Sequence, residues 1–112
     1  MLAVVLAAAP TNAGAEEETY RVVVRFGSAC CGPDAKAMDE VRRVLIDQSR
    51  ALGRPFGEKW VRAGREGEQN LCLSLPGIDR AKQAHVVRRL RSALQGSQNT
   101  TLEENAACRE WP

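Results

Sequence analysis

The sequence predicts a small α+β domain with the element order βαββαβ, in which two helices pack on a four-stranded antiparallel sheet. The first observation is a stretch at Tyr20–Phe26 in which every second residue is a large apolar one and two of the three residues between them are arginines. The second is a pair of segments whose apolar residues recur at helical spacing, separated by shorter alternating stretches. The third is four cysteines in 112 residues, which predict that disulfides staple a limited core.

The first half of the chain supplies one strand and one helix. In the strand, Tyr20, Val22, Val24 and Phe26 are expected on one side and Arg21, Val23 and Arg25 on the other. Pro33 suits the first helical position, and Asp34 suits the positive end of the helix dipole. The helix carries an apolar stripe of Met38, Val41, Leu45 and Leu52. Gly53 then ends it as a C′ residue.

The second half predicts a hairpin, a helix and an edge strand. Strands over 56–63 and 68–75 flank a glycine-containing turn, with Trp60 and Arg62 expected on the face opposite Val61. Asp79 is a suitable N-cap for a second helix that runs to about Gln95. A polar turn over 96–101 precedes a short edge strand around Ala106–Trp111.

This order of elements resembles the ferredoxin-like, or split βαβ, arrangement. The resemblance implies the spatial strand order 4-1-3-2, with both helices on one face and the other face open to solvent or a partner. The open face is expected to carry Trp60, Arg21, Arg25 and Arg62. The predicted core consists of Val22, Val24, Phe26, Met38, Val41, Leu45, Leu71, Leu73, Val86, Leu90 and Leu94.

The N-terminus predicts export. An apolar run over Met1–Ala9 is followed by Pro10 and by the small residues Ala13-Gly14-Ala15, as at a signal-peptide cleavage site. We therefore expect residues 1–15 to be a signal peptide and 16–112 to be one domain in the periplasm or secreted. A helical or disordered alanine-rich tail is the alternative. After this leader no segment approaches the ~18 apolar residues of a membrane span.

An oxidising compartment predicts two disulfides among Cys30, Cys31, Cys72 and Cys108. In the expected sheet, strands 3 and 4 lie roughly 10 Å apart, which exceeds the reach of a disulfide. A bridge between Cys72 and Cys108 is therefore disfavoured, and Cys30 and Cys31 are each expected to pair with one of them, in either combination. A bridge between neighbouring Cys30 and Cys31 requires a strained ring and is not favoured.

The alternative function uses Cys30 and Cys31 as thiols at the N-terminus of helix 1. Their position resembles that of the Cys-x-x-Cys motif in heavy-metal-associated domains, which are also ferredoxin-like. That resemblance implies soft-metal binding, and thiols at a helix N-terminus are also suited to disulfide exchange. Here the two cysteines are adjacent, and Gly27-Ser28-Ala29 precedes them.

The remaining residues favour a non-enzymatic exported binding domain. His85 is the only histidine, and the sequence contains no nucleophile elbow, phosphate loop or zinc-finger spacing, so no cofactor or metal is expected. A net charge of +2, from 16 basic and 14 acidic residues, argues against nucleic acid. The expected partner is a protein or an anionic cell-envelope component, since basic residues line both helices. Phe26-Gly27-Ser28 also resembles the strand end of cell-wall-binding sporulation-related repeat domains.

Overall fold

A computed structural model describes residues 18–110, and the elements within this range follow the predicted order. They are β1 (Thr19–Phe26), α1 (Ala35–Leu52), β2 (Gly57–Arg62), β3 (Gln69–Ser74), α2 (Arg80–Ala93) and β4 (Thr100–Ala107). The sheet has the order β2-β3-β1-β4, and each neighbouring pair is antiparallel. The predicted α+β, ferredoxin-like βαββαβ fold is confirmed. The predicted signal peptide 1–15 lies outside the described residues.

Both helices pack on one face of the sheet, and the main core lies between them. It contains every residue predicted for the core, although Leu94 is only partly buried at its edge. The core forms because alternate residues of β1, such as Val22 and Val24, point toward the helices and are fully buried there. Ala37, Val44 and Val87 fill the spaces beside the predicted helical stripes.

Both helices begin at an aspartate whose side chain caps the first turn. Asp34 accepts a hydrogen bond from the Ala37 N–H at 3.1 Å, so the helix starts after Asp34 and Pro33 precedes the cap. Pro33 was therefore wrongly predicted as the first helical residue. Gly53 ends α1 at a φ of 65°, a left-handed conformation that favours glycine. Asp79 caps α2 as predicted, accepting from the Lys82 N–H at 2.9 Å.

The fourth strand lies earlier in the chain than predicted. β4 runs over Thr100–Ala107, where the sequence predicted a polar turn followed by a strand around Ala106–Trp111. It is an edge strand bonded to β1, so half of its residues are exposed, none is fully buried, and no apolar alternation marks it. Glu103 and Glu104 resemble loop residues in the sequence, but in the structure they form ion pairs with Arg25 and Arg21 on the neighbouring strand.

The alternation of β1 breaks near its start. Tyr20 packs with Val23 on the face opposite the helices, whereas the sequence placed it beside Val22. Arg21 instead reaches α2, donating to the Gln83 side chain at 2.9 Å. Opposite Arg21, between two regular pairs of the β1–β4 ladder, Asn105 has a φ of 53°, so the ladder is distorted at the point where the two faces reverse.

Candidate functional site

The face of the sheet opposite the helices has an apolar centre covered by the segment that follows β4. Val23, Val61 and Cys72 form this centre, with Tyr20, Ala106 and Cys108 packed against it. After β4 the chain crosses β1 toward β3, where the Asn70 side-chain amide donates to the Arg109 carbonyl at 2.7 Å. Val23 and Cys72 are both fully buried as a result.

This crossing brings Cys108 to Cys72, and the predicted disulfide pairing is wrong. The structure joins Cys72 to Cys108 with a Cα–Cα distance of 5.7 Å, and joins Cys30 to its neighbour Cys31. The pairing was predicted from the distance between strands 3 and 4, which β1 does separate. Cys108, however, lies one residue beyond β4, on the segment that crosses β1. Cys72 pairs with Val23 within the sheet, whereas Cys30 and Cys31 lie in the loop beyond the end of β1.

The Cys30–Cys31 disulfide is exposed in the loop that leads into α1. Its backbone is held by Ser28, whose hydroxyl donates to the Cys30 carbonyl at 2.6 Å and accepts from the Gly32 N–H at 3.0 Å. Cys31 has a φ of 64° and Gly32 a φ of 104°, so two consecutive residues are left-handed. The loop is therefore a defined turn that presents both sulfurs at the surface.

A cleft of about 420 Å³ adjoins this disulfide. One wall is the loop before α1, including Cys30 and Asp34, and the other is the turn before β4, including Gln98 and Asn99. Two hydrogen bonds join the walls, from the Gly27 N–H to the Asn99 carbonyl at 2.8 Å and from the Gln98 N–H to Asp34 at 3.3 Å. Gln98 and Asn99 gave no signal in the sequence beyond a polar turn.

The N-terminus of α1 is capped by the carboxylate of Asp34. The pKa of this carboxyl lies below the ordinary 3.8 because the Ala37 N–H, and then the Gln98 N–H, donate to it. The α1 amides thus serve a carboxylate of their own chain. This differs from the thiol interpretation of the sequence, in which the helix N-terminus acts directly on Cys30 and Cys31.

Asp34 should make folding sensitive to acid. Because its pKa is lowered in the folded state, its stabilising contribution is present above the unfolded value near 3.8 and is lost as pH falls through the folded pKa. We expect Asp34→Asn to keep the cap and to show a smaller fall in the urea midpoint between about pH 5 and pH 2 than the parent. If the urea midpoints of the parent and of Asp34→Asn fell equally with pH, this role of Asp34 would be contradicted. Glu104→Gln is the variant to compare with Asp34→Asn, because the pKa of Glu104 is also lowered in the folded state, by Arg21 first and then by Arg91.

The predicted binding face of Trp60, Arg21, Arg25 and Arg62 is not assembled. Trp60 packs on the helix side, stacked on Phe26 with ring centroids 5.8 Å apart and covered by the Arg42 guanidinium at 4.5 Å. Arg21 also turns toward α2. Arg25 pairs with Glu103 across the β1–β4 ladder. The face of Trp60 was wrongly predicted because β2 is an edge strand whose apolar and polar residues alternate weakly.

The outer face of α2 carries basic side chains and no acidic one. Its basic side chains are Arg80, Lys82, Arg88, Arg89 and Arg91, all exposed, and the helix contains no acidic residue. Lys82 lies 3.9 Å from Asp79, and Arg91 pairs with Glu104 at 3.0 Å. Arg80, Arg88 and Arg89 form no ion pair with any residue between 18 and 110.

Three further observations concern the histidine, possible metal ligands and possible membrane-spanning helices within residues 18–110. His85 is exposed on α2. No three histidine, cysteine, aspartate or glutamate side chains in this range are grouped so as to hold a metal ion. Neither described helix is long and apolar enough to cross a membrane.

The sequence matches no protein-family model, and no curated protein is similar to it. Among solved structures, the chain is similar to the C-terminal domain of the MgtC protein from Mycobacterium tuberculosis. The identity is 18%, the TM-score is 0.46, and the match covers 89% of this chain and 98% of that domain. Similarity at this level establishes neither a common function nor a common partner.

Proposed function

We propose that this chain is an exported, disulfide-containing domain that binds an anionic cell-envelope surface, a bilayer bearing anionic lipid head groups, through the outer face of α2. The observation that carries the proposal is the charge of this helix, which has five basic residues and no acidic residue over Arg80–Ala93. A surface of one sign attracts an extended partner of the opposite sign.

Three arginines of α2 are available to a partner. Arg80, Arg88 and Arg89 are exposed and form no ion pair with the described residues, so binding does not require an existing contact to break. A basic residue near an anionic bilayer contributes about 1 kcal/mol, so Arg80, Arg88 and Arg89 together would contribute about 3 kcal/mol. That corresponds to weak, reversible association, which low ionic strength favours because the charges are screened least there.

The other two candidate surfaces are less suitable. The centre of the open sheet face is occupied by the chain's own segment after β4, held by the Cys72–Cys108 disulfide. The outer face of α1 mixes charges of both signs, and Arg42 is engaged by Asp39 at 3.8 Å and by the Trp60 ring. These observations leave α2 as the cationic surface.

The association should be electrostatic and shallow. The apolar residues of α2, which are Val86, Val87 and Leu90, are buried against the sheet and are not available to insert between lipids. Contact would therefore be made by guanidinium and ammonium groups with phosphate oxygens. Added salt should weaken it strongly.

Export is supported by the leader pattern of residues 1–15 and by the two disulfides, which persist in an oxidising compartment. An exported domain of this charge would meet anionic lipid head groups at the membrane surface. Both features therefore support the same kind of partner.

Charge reversal at Arg88 and Arg89 should abolish most of this binding. We expect Arg88→Glu with Arg89→Glu to weaken co-sedimentation with vesicles of anionic lipid at least about 30-fold, because two contacts of about 1 kcal/mol each are lost. Lys36→Glu with Arg43→Glu on α1 changes the net charge equally and should weaken binding less than about threefold if the site is α2. Vesicles of neutral lipid are the control for non-electrostatic adhesion.

Equal losses in the two double variants would show that net charge, and not α2, determines binding, and would contradict the proposed site. Binding to poly-glutamate with no binding to anionic vesicles would contradict the lipid surface in favour of an acidic protein. Binding that is unchanged when sodium chloride rises from 50 to 500 mM would contradict the electrostatic mechanism.

A further inference from the structure

The two disulfides of this domain differ in the length of chain that they close and in their exposure. Cys72–Cys108 links residues 36 positions apart, and Cys72 is fully buried. Cys30–Cys31 links adjacent residues and is exposed. A disulfide stabilises mainly by closing a loop in the unfolded chain, and a bridge between neighbours closes almost none. Stabilisation therefore does not account for Cys30–Cys31.

The loop around Cys30–Cys31 is held in place by groups other than its sulfurs. Ser28 bonds the Cys30 carbonyl and the Gly32 N–H, and Asp34 fixes the start of α1 immediately afterwards. Reduction would leave these contacts in place and keep the two thiols side by side. The second thiol is then positioned to attack any bond formed by the first, which favours fast, reversible exchange.

From this arrangement we propose that Cys30–Cys31 is a thiol–disulfide exchange site that oxidises the dithiol of a cysteine-containing peptide. A thiolate of the peptide attacks one sulfur, the S–S bond breaks, and its electron pair leaves on the other sulfur as a thiolate. The second peptide thiolate then attacks the peptide sulfur of this mixed disulfide. The products are a peptide disulfide and the dithiol form of Cys30 and Cys31, so two electrons pass from peptide to protein.

The cleft assigns different roles to the two cysteines. Cys30 lines the cleft of about 420 Å³ together with Asp34, Gln98 and Asn99, whereas Cys31 is not part of its lining. A peptide lying in the cleft brings its thiol to the Cys30 sulfur. Cys31 is then the leaving group and faces solvent, where its thiolate is hydrated and readily protonated.

This inference goes beyond the proposed binding function and does not depend on it. The exchange site lies in the loop before α1, whereas the anionic surface is proposed to bind α2. Substitutions at Cys30 and Cys31 leave the charge of α2 unchanged, and Arg88→Glu with Arg89→Glu leaves the disulfide intact. Loss of either activity can therefore be observed without the other.

The test mixes the native, fully oxidised protein with a reduced synthetic peptide that contains two cysteines, followed by acid quench, alkylation and mass mapping. We expect one peptide disulfide formed per protein, two alkylated cysteines at Cys30 and Cys31, and Cys72–Cys108 intact. Cys30→Ser with Cys31→Ser should retain the thermal midpoint of the parent and oxidise no peptide. The rate for the parent should exceed that of oxidised glutathione at equal concentration at least tenfold.

The single variants test the assignment of Cys30. With the oxidised peptide as probe, Cys31→Ser should accumulate a mixed disulfide at Cys30 at least ten times faster than Cys30→Ser accumulates one at Cys31. Equal rates would overturn the role of the cleft. A rate no greater than that of oxidised glutathione, or reduction of Cys30–Cys31 only together with Cys72–Cys108, would overturn the exchange site itself.

Discussion

Replacing both Cys72 and Cys108 by alanine is expected to lower the free energy of unfolding by about 4 kcal/mol, because the disulfide closes a long segment of the unfolded chain. The bridge spans 36 residues that contain all of α2 and β4. It also anchors the segment that covers Val23 and Cys72 on the open sheet face. In a domain of this size the loss corresponds to a fall in the thermal midpoint of about 20 °C.

Urea denaturation of the oxidised parent and of the alanine variant measures this effect. Cys30→Ser with Cys31→Ser is the matched control, since it also removes one disulfide. That disulfide closes almost no loop, so its loss should cost less than about 1 kcal/mol of unfolding free energy. The opposite ranking of the two variants would contradict the pairing in the structure. A crossed pairing of Cys30 and Cys31 with Cys72 and Cys108 predicts that both variants are strongly destabilised.

The fold could be predicted from the sequence wherever a residue's environment is set by local periodicity. β1 after its first residues, the apolar stripe of α1 and the cap at Asp79 all have such local signals, and the structure confirms them. Gly53 is equally local, because a left-handed helix end favours glycine whatever lies around it.

The features that could not be predicted depend on contacts distant in sequence. β4 is defined by pairing with β1 and by ion pairs to Arg21 and Arg25, and its own residues alternate poorly. The reversal of faces at Tyr20 accompanies the left-handed Asn105, which lies more than eighty positions away in the chain. Neither has a signal within a short window.

The candidate sites show the same division. The charge of α2 could be predicted from the sequence, because a helix on the surface of a sheet exposes one side to solvent, and this helix contains basic residues and no acidic ones. The pairing of the cysteines could not be predicted, because it depends on the path that the chain takes after Ala107. The cleft beside Cys30 joins two turns more than sixty residues apart and required the structure.

Truncation of Phe26 to alanine should cost about 3–5 kcal/mol, comparable to the loss of the buried disulfide. Phe26 is fully buried at the end of β1, and its ring stacks on Trp60 with an interplanar angle of 16°. The cavity left by the ring cannot be filled by the sheet, whose strands are fixed by hydrogen bonds on both sides of β1. The Trp60 ring would also lose the support that holds it beneath Arg42.

Two control substitutions make this prediction specific. Phe26→Leu keeps most of the apolar volume and should cost about 1–2 kcal/mol, while Ile46→Ala, at a position 50% exposed on α1, should cost less than about 0.5 kcal/mol. Urea denaturation gives all three values, and tryptophan fluorescence in the native state reports the loss of the Phe26–Trp60 stack. A Phe26→Ala variant as stable as Ile46→Ala would show that the ring lies outside the core, because only an unburied side chain can be truncated at so small a cost.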